Sequence, residues 1–499
     1  MMKISNLIYI LNPIILGIFF VLLLFSSNLG EIIIPLELFS LILIVTLFEA
    51  IIFIILFIIL SDLPKSSILL TIIMFIFLSY GYFYDLFNQI DFLGNIFRHR
   101  YLVPLILLLY VFLLFYLKRK DRDLNGLSRI IFLSITCLIL INIFQIISFN
   151  QKTSSTLTEN LNIEYKKSEN SPDVFHLVLD MYPTNEILES RFNFNNDKFS
   201  EELNLLGFRK EDLKANYIRT MYSLPSTFNM SHFYNSSPDE IIYMKETLKK
   251  FHKSVEGQIA KKLGYRIHEI STNDVSGFHS SFLGDFSRVF VRTNLLRVID
   301  DSPIPLHNLW INKNQKYFLE NIEKLNDISN DPDKTWTYFY SRPPHPPFIF
   351  NENGSKNLNA NPYNSFSEDL SDSWTIEEKD NFINQLKYVN KRIIEVIRQI
   401  LSNSNNVIII IHSDHGINNM SGTDNLINGK LPKDIYEELF STISYIYVPN
   451  FCTKEIDSIN TNINIIPTLL RTCFDINFNN KENLQFWNAS NEEEFILIE

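Results

Sequence analysis

The sequence predicts an N-terminal α-helical transmembrane bundle followed by an α/β domain with a mainly parallel central sheet flanked by helices. Only 17 of the first 150 residues are charged, and five apolar runs there reach the roughly 20 residues that a membrane span needs. Beyond residue 150, short apolar runs rich in β-branched and aromatic residues alternate with longer amphipathic stretches. That alternation is typical of a buried, mainly parallel sheet.

Charge and cysteine content exclude several classes of protein. The chain has 44 basic and 55 acidic residues, and 35 and 47 of these lie beyond residue 150. This uneven distribution excludes a simple soluble enzyme, a disordered protein and a basic nucleic-acid binder. Three cysteines in 499 residues exclude a disulfide scaffold. An oxidising compartment would permit a Cys452–Cys473 bridge, but their spacing does not decide whether the two residues meet.

Three regions follow from these patterns. We predict a five-helix transmembrane region at 1–149, a polar linker at 150–171, and an extracytoplasmic domain at 172–499. The five predicted spans are 7–26, 38–60, 67–87, 101–117 and 128–148.

The orientation follows from the positions of Lys and Arg in the short loops. The densest basic cluster, residues 118–122, precedes the fifth span, and placing it in the cytoplasm puts the N-terminus inside. Arg98 and Arg100 then fall outside, against the rule. The sequence therefore predicts a multi-pass protein of the cytoplasmic membrane. Glu49 lies mid-span, where an acid is either a functional residue or a protonated or hydrogen-bonded side chain of the bundle.

Titratable residues follow three predicted strands. The run 174–179 ends at Asp180, the run 336–340 is followed by SRPPH (341–345), and the run 407–411 is followed by HSDHG (412–416). A helix is predicted at 376–401 from apolar positions at 3–4 spacing. Ligands of such sheets gather beyond the carboxyl ends of the strands, so we expect these side chains to converge there.

The pair Asp414-His415 is the strongest single candidate for a metal site. Its two side chains can converge on one ion only if the backbone turns sharply, and we attribute that turn to Gly416. An adjacent Asp and His also occur commonly on surfaces. Asp180 is either a turn residue or a further ligand, and an Asp/Asp/His set suits zinc or manganese.

These residues carry a family resemblance. The chain resembles the alkaline phosphatase/sulfatase superfamily, in particular its membrane-bound sulfatase-like branch. That branch includes lipoteichoic acid synthases, which are phosphoglycerol transferases, and the phosphoethanolamine transferases that modify lipid A. The matching segments follow the family's order: PDVFHLVLDMYP (172–183), LNLLGFRKEDLKANYIRTMYSLPSTFNM (203–230), RPPHPPF (342–348), INQLKYVNKRIIEVI (383–397) and IIIIHSDHG (408–416). The resemblance implies an alkaline phosphatase-like fold for the second domain.

The resemblance also implies a nucleophile. In these transferases a threonine precedes a T-x-x-S-[small apolar]-x-S stretch, which here begins at Thr220. Thr220 would then share a divalent metal, zinc or manganese, with Asp180, Asp414 and His415. Metal coordination lowers the pKa of a hydroxyl enough for it to attack a phosphodiester. Alternatively, Thr220 belongs to a Ser/Thr-rich helix cap. Thr184 is a rival nucleophile that the family does not support.

Three further residues are predicted on the substrate side. In the family a histidine at the position of His345 can polarise a phosphoryl oxygen or protonate a leaving alkoxide. Alternatively, His345 is only a residue of a polyproline turn. Arg342 and Lys430 are predicted to contact the substrate phosphate.

Two departures from related patterns matter. The phosphoethanolamine transferases have a histidine shortly after Asp-His-Gly, whereas this chain reads INNMSGTDNLINGKLP there. Asn428 or Lys430 could substitute only loosely, which puts a second metal in doubt. Formylglycine-dependent sulfatases need Cys or Ser followed by x-P-x-R, and Thr220 has no arginine at that spacing. Sulfate-ester hydrolysis by that mechanism is therefore not expected.

We therefore expect a metal-dependent phospho-alcohol transferase of the phosphoethanolamine or phosphoglycerol type, acting through a covalent phospho-Thr intermediate. Its donor would be a membrane phospholipid and its acceptor an envelope glycan or lipid; no nucleic-acid partner is expected. The alternatives are a sulfatase-like hydrolase of phosphate or sulfate esters, and a degenerate, non-catalytic envelope protein.

Overall fold

The chain folds into two compact units. The computed structural model describes residues 4–28, 35–88, 98–119, 123–153, 171–234, 236–248, 250–271, 285–302, 307–358, 360, 374–404, 406–417, 431–455, 459–487 and 495–498. Unit 1 comprises Met1–Ser154 and His279–Trp310, and unit 2 comprises Ser155–Phe278 and Ile311–Glu499. The predicted boundaries did not anticipate that residues 279–310 belong to the same unit as the N-terminal helices.

Helices and strands are numbered in chain order. The helices are α1 Ile4–Ser26, α2 Pro35–Leu60, α3 Leu63–Asn88, α4 His99–Arg119, α5 Asn125–Thr153, α6 Asn185–Phe192, α7 Asp197–Leu205, α8 Thr220–Asn229, α9 Pro238–Thr247, α10 Val255–Lys262, α11 Asp285–Thr293, α12 Arg297–Asp300, α13 His307–Ile328, α14 Ile376–Asn403, α15 Lys433–Phe440 and α16 Ile465–Phe474. The strands are β1 Asp173–Leu179, β2 Arg209–Lys210, β3 Leu213–Lys214, β4 Arg266–Ser271, β5 Thr335–Ser341, β6 Val407–His412, β7 Ser441–Thr442, β8 Ser444–Tyr447, β9 Gln485–Trp487 and β10 Ile496–Ile498.

Five helices in the described part of unit 1 are long and apolar enough to cross a membrane, which confirms that part of the predicted fold. Their apolar stretches are Asn6–Ser26, Glu37–Leu60, Leu63–Phe87, His99–Arg119 and Asn125–Ser148. Each contains a predicted span. An α-helix satisfies its backbone hydrogen bonds internally, which is what an apolar surrounding requires of a spanning segment.

Helices α1 and α5 run parallel, held by polar pairs at a constant offset. Asn12 Nδ2 donates to Ser128 Oγ at 2.7 Å, and Ser26 Oγ donates to Asn142 Oδ1 at 3.0 Å, each pair separated by 116 positions. Tyr9 donates to Asn125 at the same offset. Because the offset is constant from Tyr9 to Ser26, roughly five turns of helix, the two helices point the same way. In a bundle of five spans that alternate in direction, the first and the fifth span cross the membrane in the same direction.

Residues 285–302 pack against one end of the helices of unit 1. The contacts are Ser287 N to a Glu37 carboxylate oxygen (2.6 Å), Leu295 N to Phe77 O (2.9 Å), Arg297 Nη1 to Asp85 Oδ1 (2.6 Å) and His99 Nε2 to Asp301 Oδ2 (2.9 Å). They involve the start of α2, the end of α3 and the start of α4. Since consecutive spans alternate in direction, these three helix ends lie on one side of the bundle.

Glu49 lies in the interior of unit 1. Its side chain is fully buried, and a Cβ added to Gly17 would meet its Oε1 at 2.5 Å, so the carboxyl group lies directly against α1. Neither oxygen has a hydrogen-bond partner among the described residues. A functional role for Glu49 and its alternative, a protonated or hydrogen-bonded side chain of the bundle, both stay predictions.

Unit 2 is built on a six-stranded, mainly parallel sheet, as the sequence predicts. The strand order is β2-β8-β6-β1-β5-β4. Strands β6, β1, β5 and β4 are parallel, whereas β8 and β2 add antiparallel pairs at one edge. The predicted runs at 174–179, 336–340 and 407–411 thus form three adjacent central strands, and the predicted helix is α14. Every residue of β5 and β6 is buried, which explains their continuous apolar character.

The two cysteines of unit 2 are bonded to each other. Cys452 lies in a short helical turn, Cys473 lies on α16, and their Cα atoms are 4.7 Å apart. The bridge that the spacing left undecided is therefore present, and it ties this turn to α16.

Candidate active site and metal centre

The carboxyl ends of β6, β1 and β5 bring the predicted site residues to one edge of the sheet. In the register of the central strands, Leu179 is paired with Ser341, and Val178 with His412. The ladder continues one step past the end of β1, where Asp180 N donates to Ser341 O at 2.9 Å. The chain then turns at Met181, whose φ is 56°. The side chains that follow the three strands are therefore neighbours in space.

Asp180, Asp414 and His415 form a cluster of potential metal ligands. One donor atom from each lies within 4.8 Å of the others. His415 Nε2 is 3.4 Å from Asp180 Oδ1 and 3.6 Å from Asp414 Oδ2. All three residues are buried, with exposed fractions of 3%, 0% and 1%. The sequence-predicted ligands thus converge on one point.

Thr220 joins this cluster. Its Oγ1 lies 3.2 Å from His415 Nε2 and 3.5 Å from Asp180 Oδ1. Thr220 is the first residue of α8, while Arg219 occupies the N-cap position. The hydroxyl therefore faces the ligand cluster, and the helix-cap alternative does not describe its position. Thr184, the rival nucleophile, hydrogen-bonds Glu186 instead.

The charges of the cluster fit a divalent cation. Two carboxylates are buried side by side, and burial, followed by the charge of Asp414, raises the pKa of Asp180 well above its ordinary value. Asp414 Oδ2 has no hydrogen-bond partner among the described residues. His415 Nδ1 donates to Gly416 O at 2.8 Å, which leaves the lone pair of Nε2 directed at the cluster. Two carboxylates, an imidazole and a hydroxyl suit zinc or manganese.

The Asp414-His415 turn depends on Gly416 for a different reason from the one expected. Gly416 is not in the left-handed region, so it is not needed for an unusual φ. A Cβ added there would lie 2.2 Å from Glu438 O, because Gly416 N donates to Leu439 O and Ile417 N to Glu438 O. The glycine therefore allows the turn to approach the backbone at the end of α15.

His345 and Arg342 lie beside the cluster. The His345 ring centroid is 6.4 Å from that of His415. His345 Nδ1 donates to Pro346 O at 2.6 Å, and Arg342 Nε donates to the same carbonyl at 2.9 Å. Burial, followed by the charge of Arg342, lowers the pKa of His345 well below its ordinary value. Because a carbonyl oxygen only accepts, His345 Nδ1 carries a proton, and the neutral form of the ring has its lone pair on Nε2. Lys430 and Asn428 lie outside the described residues.

Sequence reasoning missed several side chains that hold the site in shape. Tyr340 donates a hydrogen bond to Asp180 Oδ2, and Ser223 Oγ donates to Asp414 O at 2.5 Å. Gln385 on α14 donates to the carbonyls of Pro344 and His345 at 3.0 and 3.2 Å, which anchors the proline loop. Only Ser223 had a visible signal, because it lies one turn after Thr220. The other two belong to strand and helix patterns that looked purely structural.

The family model described as Sulfatase matches residues 201–475. No curated protein matches the chain.

Among solved structures, the zinc complex of the periplasmic domain of Escherichia coli EptC is 12% identical, with a TM-score of 0.42, covering 67% of this chain and 95% of that one. The lipooligosaccharide phosphoethanolamine transferase A of Neisseria meningitidis is 13% identical, with a TM-score of 0.39, covering 93% and 96%. An alkaline phosphatase superfamily protein of Vibrio parahaemolyticus is 12% identical, with a TM-score of 0.37, covering 68% and 82%.

The family match decides the assignment. It spans more than half of the chain and includes Thr220, His345 and the Asp414-His415 pair. It confirms the predicted superfamily and, with it, a sulfatase-like hydrolase or transferase. The chain belongs to the sulfatase family.

Proposed function

We propose that this protein is a metal-dependent transferase that moves a phospho-alcohol group, of the phosphoethanolamine or phosphoglycerol type, from a membrane phospholipid to an envelope glycan or lipid. The observation that carries the proposal is the position of the Thr220 hydroxyl, 3.2 Å from His415 Nε2 and 3.5 Å from Asp180 Oδ1. Five apolar helices in the same chain favour a lipid donor, because a protein embedded in the bilayer meets phospholipids directly.

Asp180, Asp414, His415 and Thr220 would hold the metal. A zinc or manganese ion bound there would lower the pKa of the hydroxyl and polarise the phosphoryl group. In the first step, the bond from Thr220 Oγ1 to phosphorus forms and the bond from phosphorus to the diacylglycerol oxygen breaks. The Thr220 proton passes to that oxygen, which leaves as an alcohol. The product of this step is the phosphothreonine ester.

His345 serves the second step. Its neutral imidazole has its lone pair on Nε2, so it can accept the proton of the acceptor hydroxyl as that oxygen attacks phosphorus. The bond from phosphorus to Thr220 Oγ1 then breaks, and the proton returns to Thr220. Protonation of the leaving alkoxide in the first step stays the alternative role for His345. Arg342 carries the positive charge that suits a phosphate oxygen.

The proposed setting is the cytoplasmic membrane, with residues 172–499 on the extracytoplasmic side as the catalytic region. Five spans with the N-terminus inside give this arrangement, and the cluster of basic residues before the fifth span supports it.

The test is mass spectrometry of the full-length protein after incubation with lipids of its own membrane. We expect an adduct on Thr220 whose added mass identifies the transferred group. The adduct should disappear in Thr220→Ala and persist in Thr184→Ala, the matched control for the rival hydroxyl. His345→Ala should increase it by slowing the second step. An adduct that survives in Thr220→Ala, or none even in His345→Ala, would overturn the covalent mechanism.

A second candidate is a hydrolase that uses the same site with water as the acceptor. The match to the family described as Sulfatase favours it. Turnover of soluble phosphate or sulfate esters without lipid and without an acceptor would support the hydrolase, whereas turnover that requires both would support the transferase.

A further inference from the structure

Three titratable side chains outside the ligand cluster form a hydrogen-bonded network. It consists of Glu256 on α10, His176 within β1 and His412 at the end of β6, and all three are fully buried. His176 Nδ1 is 2.9 Å from Glu256 Oε1, and His176 Nε2 is 2.8 Å from His412 Nε2. None of these residues has a part in the transfer steps above.

The partner of His412 Nδ1 in this network determines where that ring carries a proton. A carbonyl oxygen only accepts, so His412 Nδ1, 2.9 Å from Ser413 O, must carry a proton. Glu256 Oε1 also accepts from Trp336 Nε1 at 3.0 Å, so this carboxyl oxygen holds both the indole and the His176 ring in place. One further proton lies between the two Nε2 atoms.

The last hydrogen bond of the network is made to the backbone that carries the metal ligands. Three successive carbonyls there accept side-chain hydrogen bonds. Ser413 O accepts from His412 Nδ1 and from Asn462 Nδ2, both at 2.9 Å. Asp414 O accepts from Ser223 Oγ at 2.5 Å, and His415 O accepts from Ser413 Oγ at 2.8 Å. Fixing these peptide groups fixes the directions of the Asp414 and His415 side chains.

The same network also contacts α8, the helix that begins with Thr220. Phe228, on α8, packs edge-on against the His176 ring, with centroids 6.1 Å apart. Thr220 begins α8, and Ser223 of that helix is bonded to Asp414 O. His176 and His412 therefore lie at the junction between the ligand turn and the nucleophile helix.

We propose that His412, held by His176 and Glu256, is a positioning residue for the Asp414-His415 turn, and that its Nδ1–H bond to Ser413 O is what aims the metal ligands. This inference rests on the proposed function for its catalytic consequence. Replacing a residue that orients metal ligands without touching the metal typically lowers metal affinity or activity by roughly 10–100-fold.

Replacements at His412 separate its two hydrogen bonds. The amide nitrogen of an asparagine falls near the place of Nδ1, so His412→Asn keeps the bond to Ser413 O and loses the bridge to His176. Glutamine places its amide near Nε2, so His412→Gln keeps the bridge and loses the bond to Ser413 O. His412→Phe loses both while keeping the ring shape. We expect zinc affinity near that of the wild type in His412→Asn, and about tenfold lower in His412→Gln and His412→Phe.

The assay is competition for Zn²⁺ between a chelator and the full-length protein in detergent, together with kcat and KM for the lipid donor. We expect kcat to fall with zinc affinity while KM is unchanged. Thr337→Val is the matched control, because Thr337 is fully buried in β5 and its hydroxyl has no partner among the described residues. It should change neither quantity. If His412→Phe does not fold, the comparison of asparagine with glutamine decides alone.

A role in packing alone predicts the opposite order, because glutamine and phenylalanine fill the site better than asparagine. Zinc binding by His412→Gln that is as tight as by His412→Asn would overturn the proposal. If the His412 variants show the expected order of zinc affinities but no adduct forms on Thr220, the proposed function is refuted and the positioning role stands. A wild-type protein that binds no zinc would refute both.

Discussion

Gly416→Ala tests the claim that the ligand turn is held by close backbone contact. The added Cβ would lie 2.2 Å from Glu438 O and 2.9 Å from the carbonyl of Leu439, and real Cβ atoms essentially never approach within 3.0 Å. Both obstacles are backbone atoms, so no flexible side chain can make room. The turn must move away from α15 by nearly 1 Å, and His415 directly precedes the substituted residue.

The magnitude follows from that displacement. A catalytic group misplaced by about 1 Å can cost roughly 100-fold in rate, and overpacking of this kind destabilises a fold by about 1–3 kcal/mol. We therefore expect turnover of the lipid donor to fall about 100-fold, with a smaller loss in the free energy of unfolding.

Turnover and thermal unfolding of the same preparation measure the two effects. Gly126→Ala is the matched control, because a Cβ at Gly126 would meet no atom within 4 Å. It should be active at the wild-type rate. Wild-type turnover in Gly416→Ala would refute the argument that close approach sets the ligand geometry.

Three further predictions concern the surroundings of the site and unit 1. Tyr340→Phe removes the hydroxyl that donates to Asp180, and zinc affinity measured by chelator competition should fall about tenfold; unchanged affinity would contradict a supporting role. Chelation should lower the melting temperature of the wild type and re-added zinc should restore it, since a ligand at 100 times its Kd stabilises by about 2.7 kcal/mol; a melting temperature insensitive to zinc would argue against a resident metal. Burial raises the pKa of Asp301, but the hydrogen bond with His99 and the charge of Arg292 outweigh it and hold the pKa at about 2, below the ordinary 3.8. This stabilisation is complete above pH 4 and is lost as the pH falls towards 2, so Asp301→Asn should remove that part of the acid sensitivity of unfolding.

The sequence pattern predicted the sheet edge at which the ligand cluster lies, because the signals for that edge are local. A continuous apolar run followed at once by a titratable residue, as at Leu179-Asp180, indicates both a buried strand and its carboxyl end. Five long apolar helices are equally visible, since length and hydropathy suffice to recognise them. In both cases the physical cause of the structure lies within a few neighbouring residues.

Other features arise from partners far apart in the chain and left no local pattern. His176 and His412 lie 236 positions apart, each hidden in an apolar run, and only the parallel pairing of β1 with β6 brings their rings together. The need for Gly416 comes from the backbone of α15, more than twenty positions later. Residues 285–302 contain too few apolar positions to resemble a span, although Phe286 and Phe290 join the apolar interior of unit 1.

The packing of residues 285–302 against unit 1 has a consequence for biosynthesis. The N-terminal helices are synthesised first, yet Glu37 has to wait for Ser287, which is made 250 residues later. At roughly 5–20 residues per second, that interval lasts on the order of 10–50 seconds. During this time Glu37, Asp85 and His99 have already been made, whereas Ser287, Arg297 and Asp301, to which they bond in the folded protein, have not. The membrane region of this protein is therefore completed only after synthesis has passed well into the sulfatase domain.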